Sequence, residues 1–587
     1  MSASAGPPLR VPVGPDAQRW NTFHGEKTLV VAARTLTSAT RVLETLPALL
    51  RGDSRVTVVF AYDTTSAFND GVLDLLRDAG CRVMPWAQLS CVTPDLIISA
   101  SENVDVPDDD CPVLVLPHGV GFQKLVPDAR SARTRLSGVV PDALLEAGRA
   151  WLAISHPDQE EQLLTTHPKA AGRTLLVGDP VFDQLLTSLP RAGSYRRALG
   201  VGDEQRLVVI SSTWGPTSLI GRNPELPARL LAQLPYDEYK LAAIIHPNVW
   251  SGHGSWQLRA LQAAALEAGM LLMSPVHAWQ SALVAADVVI GDHGSVTLYG
   301  AALGKPLLLA AFGSDSVPGT AIARLGRTAP HLDPREDLRP QIESAVREHT
   351  PGRYAETSAH AFAEPGQALT RLRTAVYSLL KLAEPDSGPP PVLALPRPDP
   401  PAATVDSWMV TTIASPEAGG WAVGVHRHAA AVSVSVAEAV AISESGPVSG
   451  DGHEESGRFL HLACDEEERD QRLAESASVL TRRRPAPTAV AALRWIRDTL
   501  DRLPGSCLAA VAVAGGGCLL GLRDGRLVEA TVTGPAAGPG LPAAVVYTCL
   551  RAGLPLDDVF VTLRTGAGRE EDVALRLRPS PPPGPPC

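Results

Sequence analysis

From residue 28 to about residue 382 the chain alternates short apolar runs with helical stretches, and this rhythm constrains the fold more than any other feature. The apolar runs fall at 28–33, 55–61, 96–100, 112–116, 151–155 and 174–177, then again at 207–211, 241–245, 287–290 and 306–311. Helical patterning lies between them, for example at 38–50, 69–79, 256–268 and 280–286. Strands that are apolar along their whole length are buried on both faces, as in parallel sheets covered by crossover helices. Two such series in tandem predict an α/β protein with two Rossmann-like doubly wound units, at 27–190 and 191–382, and a cleft between them. Ligands in such sheets bind beyond the carboxyl ends of the strands, so the residues just after each run are where function is expected.

Eight prolines between Pro385 and Pro401 interrupt this rhythm. Such a stretch neither continues a helix nor joins a ladder, which predicts a semi-rigid linker at 383–405. The part beyond it, 406–578, reads as a smaller α+β domain. Runs at 507–514, 518–522 and 527–532 are separated by Gly515-Gly516-Gly517 and Asp524-Gly525, the signals of an antiparallel meander, and helices are expected at 467–481 and 489–503. The ends, 1–26 and 579–587, read as disordered tails. No repeat of solenoid length is visible.

Composition narrows the function. With 587 residues, three or four domains are expected. A net charge of −11 argues against nucleic acid as a partner, because phosphate neutralisation needs clustered cations. None of the eight cysteines forms a C-x-x-C pair, so zinc is not expected and reduced thiols are. There is no signal-peptide pattern in the first 26 residues and no apolar stretch long enough to span a membrane, which predicts a cytoplasmic location. Asp108-Asp109-Asp110 sits in a polar, Pro-flanked loop and reads as a solvated turn. His426 and His428 share a strand face but lack a third ligand, so they read as surface residues; no metal is assigned.

Three segments at strand ends carry candidate chemistry. Pro117-His118-Gly119-Val120-Gly121 follows the run at 112–116. An imidazole titrates near neutrality and suits general-base work on a hydroxyl, while glycines let backbone approach a ligand. A plain loop histidine is the alternative. Asp287-Val288-Val289-Ile290-Gly291-Asp292-His293-Gly294-Ser295 reads as strand, small-residue turn and helix start, a geometry that binds phosphate. Asp292 would repel a diphosphate, and either a ligand role or a structural one, capping the helix or bonding to His293 or Ser295, fits it. Ser211-Ser212-Thr213-Trp214-Gly215 and His246-Pro247 complete the set, with hydroxyls and an imidazole that suit a diphosphate or, equally, turn chemistry.

Read together, these segments resemble GT-B glycosyltransferases of the CDP-glycerol glycerophosphotransferase family, the teichoic-acid polymerase type. His118-Gly119 resembles a strand-end His-Gly motif, and Gly178-Asp179-Pro180-Val181-Phe182-Asp183 a Gly-x-Pro-x-x-Asp motif. Ser212-Thr213-Trp214 resembles Pro-Thr-Trp, and Ile244-Ile245-His246-Pro247 resembles Lys-Pro-His-Pro. The segment from Ala286 to Ser295 resembles Ala-Asp-x-x-Ile-x-Asp-Tyr-Ser-Ser, with Gly304-Lys305-Pro306 after it. Three departures stand out: His293-Gly294 for Tyr-Ser, Ile244-Ile245 for Lys-Pro, and Gly215 where Arg commonly follows Trp. They remove cations from around a diphosphate, and Arg222 in the following loop is the candidate replacement.

The resemblance implies a GT-B transferase that moves a glycosyl or polyol-phosphate group from a nucleotide diphosphate donor to a hydroxyl acceptor, in cell-envelope chemistry and without a cofactor. His118 would be the catalytic base. Ser211, Thr213, His246, Asp292, His293, Gly294 and Ser295 would bind the donor. A nucleotide-sugar epimerase or hydrolase on the same fold is one alternative. A non-catalytic nucleotide-binding protein, with the α+β domain as its protein-partner module, is the other.

Overall fold

The first apolar series closes into a seven-stranded parallel sheet: β1 (Lys27–Ala33), β2 (Val56–Tyr62), β3 (Val83–Pro85), β4 (Leu96–Ser99) and β5 (Val113–Val115), then, past a small hairpin of β6 (Leu125–Pro127) and β7 (Thr134–Leu136), β8 (Ala150–Ile154) and β9 (Thr174–Leu176). Its order is β3-β2-β1-β4-β5-β8-β9. The second series forms β10 (Arg206–Ser212), β11 (Tyr239–Ile245), β12 (Leu271–Leu272), β13 (Val288–Gly291) and β14 (Leu307–Leu309), ordered β12-β11-β10-β13-β14. Both are wound third-second-first-fourth-fifth, so each sheet has a switch point where its order reverses, the place where such folds bind ligands. The structure is a computed structural model and describes residues 10, 11, 13, 17, 19, 21–103, 105–107, 109–128, 133–276, 278–400, 404–433, 457–514, 516–534, 538–566 and 568–579. Most of the expected tails, together with Asp108 and Gly515, lies outside that set.

The strands are apolar throughout because each sheet has two covered faces. In the first unit Val30, Ala32 and Ile97 feed one core, while Leu29, Val31 and Ile98 feed the other. In the second, Val209 and Val289 face one core and Val208 and Ile290 its opposite. The helix Ala368–Leu380 ends the second unit yet packs Leu369, Leu372, Val376 and Leu380 into the first unit's core, so the chain crosses back. β3, β12 and the β6–β7 hairpin have no counterpart among the runs read from sequence, being only two or three residues long.

The described residues of the proline-rich stretch form no helix or strand, but they are strapped down. Arg55 Nη2 donates to Ala383 O at 3.0 Å and Gln184 Nε2 to Leu393 O at 3.2 Å. Leu395 is 4% exposed, its N–H donates to Ser188 Oγ, and its carbonyl accepts from the Tyr195 hydroxyl at 2.8 Å. The strap runs over both units before reaching the C-terminal part.

That part carries its expected mixture of strands and helices but is more than an antiparallel meander. Among the described residues its strands β15 (Ser407–Glu417), β16 (Gly420–Ala429), β17 (Gly457–Asp465), β18 (Val479–Ala486), β19 (Leu508–Val513), β20 (Cys518–Leu522), β21 (Leu527–Val532), β22 (Val559–Thr565) and β23 (Arg569–Arg578) close into one barrel. The expected meander is the β19–β20–β21 arc, but β17–β18, β18–β19 and β16–β22 pair in parallel. Closure follows from the helix Gly540–Ala552, which is buried without a break from Leu541 to Cys549. A helix with no polar face must be covered on every side, and this one packs against β15, β16, β17, β18, β19 and β21. The helix expected at 467–481 shrinks to Gln471–Ser476, because Val479 and Leu480 are claimed by neighbours on both sides of β18. Inside the barrel the His461 ring lies 4.1 Å from the Tyr547 ring, with no hydrogen-bond partner for either nitrogen.

The barrel is docked on the second unit. Tyr236 N donates to Arg427 O at 2.7 Å, and the Arg427 guanidinium forks onto Asp237 at 2.9 and 2.5 Å. His426, expected on the free surface, faces Glu238 across this junction at 3.7 Å. Among the described residues, no helix is long and apolar enough to cross a membrane.

Candidate functional site

The carboxyl ends of the two sheets face each other across a cleft of about 470 Å³. On the first unit β1 runs out at Ala33, and Thr35 caps the following helix Leu36–Leu49 through a reciprocal pair of bonds with Ser38. β4 delivers Ser101-Glu102-Asn103 and β5 delivers Pro117-His118-Gly119 to the cleft wall. The His118 Nδ1 lies 3.3 Å from Ala100 O. A carbonyl only accepts, so Nδ1 carries the hydrogen and Nε2 is left as the lone-pair nitrogen. Glu102 binds Arg135 at 2.8 Å. Burial opposes its ionisation, but the neighbouring His118 and Arg135 outweigh that and hold its carboxyl below the usual range.

At Gly119 the two units are in contact. A Cβ there would stand 2.5 Å from Ser295 Oγ, and the neighbouring Val120 N donates to that hydroxyl at 3.2 Å. The missing side chain leaves this space to that of Ser295.

On the second unit β10 ends in Ser211 and Ser212, followed by Thr213. Ser211 and Thr213 line the cleft, although the Ser211 hydroxyl also receives a bond from Thr297 at 3.4 Å. Asp292 is off the cleft wall and 0% exposed. Its carboxylate accepts from the backbone N–H groups of Thr213, Leu219 and Gly294 at 2.9, 2.8 and 2.9 Å, binding three segments into one frame. Burial pushes its pKa up, against those bonds. The structural reading of this residue is therefore the one its contacts fit. His293 is likewise committed: Nδ1 accepts from Gly313 N and Nε2 donates to Asp315, both at 3.1 Å. Its side chain is fully buried and leaves no nitrogen free for the cleft.

Gly294 precedes the helix Ser295–Ala302 and no side chain caps it, so the first N–H groups of that helix open toward the cleft. His246 caps the helix Pro247–Leu261 by accepting from Asn248 N at 3.1 Å, which leaves the ring hydrogen on Nε2. Burial holds its pKa well below the usual imidazole range, helped by the neighbouring His118 and Lys124, so it is a neutral donor. Beside it the Trp214 ring lies 6.5 Å from His246 and 5.9 Å from Phe68 of the first unit.

The cleft thus holds His118, Ser211, Thr213, His246, His293, Gly294 and Ser295 together, with Asp292 behind them. Arg222 is exposed at the end of a short helix and does not line the cleft. The cations that do are Arg34, Arg41, Lys124 and Arg135, all from the first unit. Sequence reasoning missed them: Arg34 directly follows β1 and is passed over, while Arg41, Lys124 and Arg135 follow no predicted strand end. Arg41 is buried, bonded to Asp179 Oδ1 at 3.0 Å and to Pro117 O at 3.2 Å. Asp179 caps the helix Pro180–Ser188 and takes the Tyr299 hydroxyl at 2.6 Å, so one carboxylate ties together both units and their connector. Glu44, its pKa raised by burial, accepts from Gln280 across the same junction at 2.9 Å.

No protein-family profile matches the sequence, and no curated protein matches it. Solved structures do. The wall teichoic acid polymerase TagF is 12% identical at a TM-score of 0.41, over 61% of this chain and 90% of its own. The UDP-GlcNAc 2-epimerase of Neisseria meningitidis, bound to UDP-GlcNAc, is 15% identical at 0.39, over 60% of this chain and 100% of its own. The S. aureus protein MnaA, in a structure with UDP, is 11% identical at 0.37, over 62% and 99%.

Proposed function

We propose that this protein transfers a glycosyl or polyol-phosphate group from a nucleoside diphosphate donor to a hydroxyl acceptor. The observation that carries the reading is the junction at Gly119 and Ser295. It sets a histidine with a lone-pair nitrogen, His118, beside the uncapped start of the Ser295–Ala302 helix, in one cleft at the switch points of two doubly wound sheets. Such a helix end favours an anion, and such an imidazole takes a proton. In the reaction, Nε2 of His118 removes the acceptor hydroxyl proton as that oxygen attacks the donor carbon or phosphorus. The bond to the departing nucleotide breaks and its charge passes to the helix end, Thr213 and the His246 Nε2–H. Ser211, Gly294 and Ser295 complete the donor side, while Asp292 and His293 hold its frame.

A thermal-shift screen of the full chain against UDP, CDP, GDP and ADP, with their sugar or glycerol conjugates, tests the donor. A ligand at about 100-fold its Kd raises stability by roughly 2.7 kcal/mol. Product formation from the best donor then needs an added hydroxyl acceptor if the reading is right. Turnover without acceptor would favour an epimerase or hydrolase. Among the described residues, the second unit brings no lysine or arginine to the cleft wall, which favours the remaining reading, a nucleotide-binding protein without turnover, and tight binding with no product would establish it.

A further inference from the structure

Lys124 belongs to the first unit by chain and to the second by contact. Its backbone is held by two bonds across the cleft floor: Leu125 N donates to Asp315 O at 2.7 Å and Val317 N to Gln123 O at 3.0 Å. Between them Lys124 and Ser316 form an antiparallel bridge. The side chain is 17% exposed and lines the cleft. Its ammonium donates to Trp214 O at 2.8 Å, sits 4.9 Å from the centre of the Trp214 ring, and lies 3.5 Å from Thr213 Oγ1.

This cation is only partly neutralised. Of the two carboxylates that act on it, Asp315 is 3.4 Å away, longer than a charge-assisted bond, and is already committed to His293 and to the Thr217 hydroxyl, while Asp292 is spent on three backbone N–H groups. Its tightest contact is a neutral carbonyl. Burial lowers its pKa, as expected of an ammonium held in a wall without a full counter-charge. Thr213 is the link to the rest of the site, because a Cβ on Gly294 would stand 3.1 Å from Thr213 Cβ. The ammonium, the Thr213 hydroxyl and the Gly294–Ser295 turn therefore converge on one side of the cleft.

We infer that Lys124 is the specificity-determining cation of this site, recognising the diphosphate of a nucleotide held by the second unit. Resting on the transferase reading above, this assigns the charge missing from the second unit to a residue brought across the cleft. The site is complete only while the 123–125 and 315–317 segments stay bridged, so diphosphate binding and union of the units are one event.

Calorimetry on the full chain tests it, with CDP against CMP, UDP against UMP, and pyrophosphate against phosphate. The wild type binds the better diphosphate at least about tenfold tighter than its monophosphate, the scale of one bond to a charged group. Lys124→Met brings the ratio below about threefold and leaves monophosphate affinity within about twofold, while Lys124→Arg keeps most of the ratio. Asp315→Asn, which removes the opposing charge, raises it. A folded Lys124→Met protein with the wild-type ratio overturns the inference. So does equal loss of mono- and diphosphate affinity, which would make Lys124 a latch only. If the wild type binds no nucleotide, the transferase reading fails by itself and the pyrophosphate arm decides. Binding lost in Lys124→Met upholds the role of Lys124, and no pyrophosphate binding overturns it.

Discussion

The two α/β units share a strand order and differ in how they present charge. Every lysine and arginine on the described cleft wall, Arg34, Arg41, Lys124 and Arg135, comes from the first unit, as do its carboxylates Glu44 and Glu102. The second unit shows hydroxyls, a neutral imidazole and a helix end, and turns its own Asp292 inward to hold backbone. One winding thus yields a wall of full charges and a wall of dipoles. A fold places the positions; the residues at strand ends decide what they do.

The largest test of this contrast is His118→Ala. Turnover should fall roughly 10²–10⁴-fold with donor affinity unchanged, because on the proposed reading His118 handles the acceptor proton and does not hold the nucleotide. Steady-state kinetics with donor titration checks it, and a loss of affinity matching the loss of rate would break the division. Next is Arg41→Met, which strands the buried Asp179 carboxylate. We expect a loss of about 3–5 kcal/mol in urea denaturation, confined to the α/β part. A cost below about 1 kcal/mol would mean that the junction does not depend on the first unit's charge.

The barrel sharpens the contrast from outside. His461 is 0% exposed, and burial holds its pKa down to about 3 from 6.5. Between those values the unfolded chain takes up a proton that the folded one refuses. Stability is therefore full above pH 6.5 and falls by about 1.4 kcal/mol per pH unit below it, levelling off near 3. His461→Phe should flatten that acid limb in denaturation curves read from pH 7 to pH 4. An unchanged limb would place the proton uptake elsewhere. The smallest effect is Thr35→Ala, which removes the cap of the Leu36–Leu49 helix and should cost about 1 kcal/mol by thermal melting.

The strands behind the site were legible because a parallel strand covered on both faces writes its burial into consecutive residues. His118, His246 and Ser295 follow such runs directly, so their place at the cleft could be read. Lys124 could not, since nothing local tells that its segment will bridge to Ser316, almost two hundred residues away. Arg222 shows the converse: adjacent in sequence to the phosphate-side loop, it turns out to solvent. In the barrel, Val479 and Leu480 form a strand because β17 and β19 lie on either side, and both partners are invisible to any local window. The helix Gly540–Ala552 carries the clearest overlooked signal, an apolar run with no polar face, which already requires a wrapping sheet.

That wrapping has a consequence for how the chain is made. β16 ends at Ala429, and its parallel partner β22 begins at Val559, about 130 residues later. At roughly 5–20 residues per second the ribosome takes between about 7 and 26 seconds to supply it. Throughout that interval β16 offers a bare edge, and for most of it the helix Gly540–Ala552 that must fill the barrel does not yet exist. An unpaired edge beside an empty apolar interior is where nascent chains pair with one another. The barrel is thus the part of the molecule most exposed to misassembly, and the part in which chaperone dependence should be sought.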